Sequence, residues 1–134
     1  MRLHTLRGRV PANEKKRLIL DDGRTTHAMV VKEFYVFAKD NLEDPGCFLS
    51  LSQDSVGTDF DASNGNQIAW SQVAQSAANS DFVSIIDPNH VVIRDLFITN
   101  TTAYDANYLV ILEAKNISED EAILQLIKEG QQNV

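Results

Sequence analysis

Cysteine is nearly absent: Cys47 is the only one in 134 residues, so no disulfide can close within the chain and no oxidising compartment is implied. Long apolar runs are absent too. Nothing approaches the roughly 20 residues that cross a bilayer as a helix, so no membrane span is expected. Met1-Arg2-Leu3-His4-Thr5-Leu6-Arg7 has no apolar stretch behind it and does not read as a signal peptide. Residues 1–33 contain no aromatic side chain, which counts against a dedicated single-strand nucleic-acid binder, since such proteins stack bases on rings. Beyond residue 32 basic charge is scarce, with four Lys and Arg against sixteen Asp and Glu. No Gly-x-Ser-x-Gly, phosphate loop or dinucleotide fingerprint occurs, so no catalytic residue, cofactor or enzymatic activity is assigned.

What is present is a division of charge. Residues 1–32 hold eight basic and three acidic side chains, a balance of +5, and the remainder of the chain stands at −12. A segment of one sign joined to a body of the other suits contact with an anionic surface: nucleic acid, a membrane surface, or the acidic body of a neighbouring copy. The candidate interaction residues are Arg2, Arg7, Arg9, Lys15, Lys16 and Arg17, and residues 1–15 are a candidate basic arm. Such an arm would hold phosphates without reading base sequence. The competing reading of Lys15-Lys16-Arg17 is a charged strand edge, where lysine blocks unwanted pairing.

The length fits one domain, residues 1–134, with a core that needs no staples. Short apolar segments alternate with turn chemistry, the pattern of strands. Leu6 and Val10 alternate with Arg7 and Arg9. Asp22-Gly23 predicts a tight hairpin between Arg17–Leu20 and Thr25–Val31, because both central residues of that turn accept positive φ. Glu33–Ala38, Cys47–Ser52 and Gln67–Val73 follow, and Gln72–Ser80 reads as a loop. Asp87-Pro88-Asn89-His90 predicts a second hairpin connection between Phe82–Ile86 and Val91–Thr99, and Tyr108–Ala114 closes the series. About eight strands at this spacing predict an all-β fold, a two-sheet antiparallel sandwich of jelly-roll-like kind. Phe82–Ile86 and Leu109–Leu112 are apolar on both faces and so need cover on both, from a second sheet and from a helix or a partner subunit.

One C-terminal helix is expected over residues 118–129. Ser118-Glu119-Asp120-Glu121 is a capping box, in which the Ser118 hydroxyl accepts from the Glu121 amide and Glu121 reaches back to the Ser118 amide. Acidic residues sit at its start, Lys128 near its end, and Gly130 stops it. Ile123, Leu126 and Ile127 form an apolar stripe, widened by Leu124. At roughly 12 residues this helix is marginal alone in water and must dock on something.

Metal ligation finds little support. The loop Asp54–Asn66 is rich in oxygen ligands, but counting from Asp59 the sixth residue is Asn64 and the twelfth Trp70, where a calcium hand needs glycine and glutamate. A solvated, turn-rich loop is preferred. His4, His27 and His90 have no carboxylate or cysteine at ligand spacing, so no metal residue is assigned. Cys47 opens an apolar strand with Leu49 and Leu51 and reads as a buried small side chain.

Eight strand runs, the basic first segment, the acidic body and strands apolar on both faces together resemble a small viral jelly-roll capsid protein. Val91-Val92-Ile93-Arg94-Asp95-Leu96-Phe97-Ile98 and Tyr108–Glu121 are similar to stretches of structural proteins of small bacteriophages. The chain is short for a jelly roll, so a sandwich that decorates or cements a shell fits as well as one that forms it. The resemblance implies a non-enzymatic, self-assembling protein found in the virion and made in the host cytoplasm, with homo-oligomeric or other virion partners and non-specific nucleic-acid contact. It carries over no site residues. The alternative expectation is a monomeric ligand-binding sandwich, such as a carbohydrate-binding module, with Trp70, Tyr104 and the Asp54–Asn66 loop near its site.

Overall fold

A computed structural model of the protein describes residues 2–19, 27–40, 42–51, 60–75, 80–88, 92 and 95–116. These form eight strands: β1 (Arg2–Val10), β2 (Lys15–Ile19), β3 (His27–Ala38), β4 (Gly46–Ser50), β5 (Gln67–Gln75), β6 (Ser80–Ile86), β7 (Asp95–Asn100) and β8 (Ala106–Asn116). They build two antiparallel sheets, one of three strands in the order β1-β8-β3 and one of five in the order β2-β7-β4-β5-β6. The pairing is nested: first strand with last, second with seventh, fourth with fifth. On the outer edge of β3, Met29 exchanges backbone bonds of 2.7 and 2.8 Å with Val92, in the connection from β6 to β7. This is a two-sheet sandwich with jelly-roll-like winding.

Both expected hairpins are corrected by this topology. β2 and β3 belong to different sheets, and β6 and β7 lie in one sheet but pair with other strands. Turn chemistry marks where a chain reverses; the pairing is decided by which strand offers a matching buried face. From His27 on, the expected Thr25–Val31 and Glu33–Ala38 segments join in one strand, β3, with a register shift between Val31 and Glu33. The extra residue there keeps Val31, Phe34 and Val36 all buried although their spacing breaks strict alternation. Residues 2–10, a candidate arm by charge, are an edge strand in register with β8 over nine pairs, because Leu6, Gly8 and Val10 supply an inward face. β5 runs to Gln75, into the expected loop. The Asp22-Gly23 turn and the helix expected over 118–129 lie outside the described residues.

The core lies between the sheets and centres on Val10, Phe34, Val36, Cys47, Leu49, Ile68, Leu96, Ile98, Val110 and Leu112. Gly8 and Tyr108 stand opposite each other, in register on β1 and β8. A Cβ on Gly8 would stand 2.9 Å from the Tyr108 hydroxyl and 3.2 Å from its ring, so glycine is what lets the buried ring lie across β1. The outer edge of β3 is satisfied by side chains of the facing sheet. Ser71 Oγ accepts from the Val36 amide at 3.0 Å, and Ser84 Oγ donates to the Phe34 carbonyl at 2.5 Å. One end of the sandwich is tied by Asn100, which is fully buried. Its Nδ2 donates to the carbonyls of Val10, Pro11 and Tyr104, and its Oδ1 accepts from the amide and hydroxyl of Thr102.

Candidate interaction site

Sheet order decides where the basic residues go. β1 and β2 are each the first strand of their sheet, joined by a short turn in which Asn13 takes φ 58°, a conformation asparagine tolerates. One lateral edge of the sandwich therefore collects both basic strands. Alternation then points their side chains three ways. Arg7 and Arg9 are exposed on the outer face of the three-stranded sheet. Lys15 and Arg17 stand opposite Thr99 and Phe97, on the outer face of the five-stranded sheet, and both are engaged by neighbours. Lys16 stands opposite the core residue Ile98 and places its Nζ 5.5 Å from the centre of the Tyr108 ring, within cation–π range. Arg2 occupies the position opposite Ala114. The six candidates share an edge but do not form one patch.

The best-defined part is an open recess of about 540 Å³ lined by Arg7, Gly8, Arg9, Phe37, Asn107 and Tyr108. Asn107 Oδ1 accepts from Arg9 Nε at 3.0 Å, while Asn107 Nδ2 donates to the Ala38 carbonyl at 3.4 Å. That relay fixes the guanidinium beside Phe37, which is 52% exposed. Across the sheet the rows read Arg7, Leu109, Tyr35 and Arg9, Asn107, Phe37. Two guanidinium groups bordering an apolar, aromatic surface suit a carboxylate or phosphate attached to something flat or greasy, since arginine binds such groups through paired N–H donors. Sequence reasoning found the arginines. It missed Phe37, Asn107 and Tyr108, which sit about thirty and about a hundred residues away and join the site only through strand register.

No three His, Cys, Asp or Glu side chains among the described residues cluster for a metal ion. Asp61 spends Oδ1 on the Ser63 amide and hydroxyl, and those bonds hold its carboxyl below the usual range. Cys47 is fully buried, and burial pushes its thiol up to about 12. Trp70 commits its indole N–H to Gln67 Oε1 at 2.7 Å, and Tyr104 is on the turn between β7 and β8. No helix among the described residues is long and apolar enough to cross a membrane.

A second surface was only half legible in the sequence. β6 ends the five-stranded sheet, and Phe82, Val83 and Ile85 are 49, 48 and 56% exposed. β6 lies against the outer edge of β3, to which Ser84 bonds. The ring of Phe82 stacks on that of Tyr35 at 5.7 Å between centroids.

No family model matches this chain, and no curated protein sequence matches it.

Proposed function

We propose that the protein is a non-enzymatic structural subunit of a virion, a coat or shell-decorating protein that associates with copies of itself. The observation that carries this reading is the nested two-sheet winding, an architecture that viral capsid domains share with lectin and cupin domains. Fold alone spreads over many functions, so two features of the surface narrow it. The basic edge, led by Arg7 and Arg9, offers contact to the acidic body of a neighbour, to another virion protein or to packaged nucleic acid. The exposed apolar strand β6 is the kind of surface that a subunit covers on assembly.

Electron microscopy and sedimentation of the purified protein across a salt series test the reading, with Arg7→Glu/Arg9→Glu beside the wild type. Discrete assemblies are expected. The part that depends on the basic edge should weaken as salt rises, because exposed charge contacts are screened within about 8 Å at physiological ionic strength. A monomer at every protein and salt concentration overturns it, and sugar binding by that monomer on a glycan array would establish a carbohydrate-binding module instead.

A further inference from the structure

We infer that β6 pairs with β6 of a second copy, antiparallel about a two-fold axis at Val83, so that two five-stranded sheets become one continuous sheet. This deepens the self-association proposed above and rests on it. Among the described strands β6 bonds to β5 alone, leaving its other edge open along seven residues. Natural edges are guarded by lysine, proline, bulges or strong twist. Ser80–Ile86 contains no Lys, Arg, Pro or Gly, and its pairing with β5 runs without a register shift from Ala69↔Ile86 to Gln75↔Ser80. The opposite edge of the same sheet is β2, with Lys15, Lys16 and Arg17. One edge is guarded and the other is not.

Charge argues against one neighbouring register, and closure selects the occupant. Asp81 is the only charged residue in β6, and Asp87 follows its end. Centred on Val83, an antiparallel pair sets each Asp81 against the partner's Ile85 and each Phe82 against the partner's Ser84. Centred one residue further on, at Ser84, it would set Asp81 against the partner's Asp87, and like charges directly opposite are destabilising. Self-pairing also consumes both open edges at once and closes, whereas β6 on a neighbour's β2 would leave a free edge at each end and grow into filaments.

The pairing is modest by itself. A half-exposed phenylalanine contributes roughly 100 Å². Phe82, Val83 and Ile85 with the strand edge stay below the roughly 1,000 Å² typical of a stable interface. The contact therefore gains its strength from acting together with others in an assembly.

Cysteine trapping reads such a weak contact, and the buried Cys47 leaves the background clean. In Val83→Cys the two new thiols face each other at roughly 5 Å between Cα atoms, within disulfide reach. In Ile85→Cys the same residues stand roughly 13 Å apart along the strands, beyond it. The expected result is a disulfide-linked dimer from Val83→Cys, none from Ile85→Cys alone, and a crossed dimer when Ile85→Cys is mixed with Asp81→Cys. Val83→Lys/Ile85→Lys should abolish salt-resistant association while leaving circular dichroism and melting unchanged. Equal cross-linking by Val83→Cys and Ile85→Cys overturns the register. Salt-resistant association that survives in the folded lysine variant overturns the β6 interface and leaves the proposed function standing, whereas a wild-type protein that never associates removes both.

Discussion

Asn100 holds together one end of the sandwich, and its removal should be felt throughout the fold. Its two amide hydrogens serve three carbonyls, those of Val10, Pro11 and Tyr104, at 3.1, 3.2 and 2.6 Å. Its Oδ1 takes the Thr102 amide at 2.9 Å and hydroxyl at 2.8 Å. In Asn100→Ala roughly four hydrogen bonds are lost at about 1 kcal/mol each, but the partly exposed Thr102 regains water, leaving a cost of about 3 kcal/mol. For a domain of this size that lowers the melting temperature by roughly 10–15 °C. Urea unfolding should show a lower midpoint with an unchanged slope. Asn100→Asp sharpens the test, because its carboxylate would face three carbonyl oxygens without water. Burial and those oxygens raise the folded-state pKa of the new acid above its unfolded value. Its stability is therefore closest to wild type at low pH, where it is protonated, and falls as pH rises through the folded pKa. An alanine variant within about 1 kcal/mol of wild type would refute the central role of Asn100. So would an aspartate variant whose deficit does not change with pH.

Four further outcomes follow from the packing. Gly8→Ala should cost about 1–3 kcal/mol by overpacking against Tyr108, and Tyr108→Phe, which removes the nearest atom, should recover part of that in a double-mutant cycle on thermal melts. Ser71→Ala and Ser84→Ala each leave one backbone group of β3 unpaired at a cost of about 1–2 kcal/mol, and Ser71→Ala should speed amide exchange at Val36. The Cys47 thiol, pushed up to about 12 by burial, should resist thiol reagents at pH 8 in the native protein and react fully in denaturant. Deleting residues 1–10 removes all of β1 from its pairing with β8, so the truncated chain should lose cooperative unfolding; a well-folded truncated form would restore the arm reading.

The acidic body, the basic first quarter, the all-β class and most strand positions were legible in the sequence because each depends on local pattern. Alternation such as Leu6, Arg7, Gly8, Arg9, Val10 is a property of neighbours along the chain, and Cys47 at the head of an apolar run already reads as buried. Strands apolar on both faces announced surfaces needing cover, and β6 has two such faces in the fold.

Partnership was not legible. Asp22-Gly23 and Asp87-Pro88-Asn89-His90 predict hairpins from local chemistry, yet the strands flanking them pair elsewhere, since hydrogen bonds across a sheet join residues from a few to about a hundred positions apart. Gly8 looks like an interruption of β1 until register sets it opposite Tyr108. Asn100 in Asn-Thr-Thr looks like an ordinary turn residue until the distant turn after β1 closes on the same amide that holds its own turn. Arg7 and Arg9 were visible as charge, but Phe37 and Asn107 reached them only through β3 and β8. Local sequence determined which segments extend and which face of each is apolar; the tertiary structure alone decided which edges meet, because that choice is made by burying all the apolar faces at once.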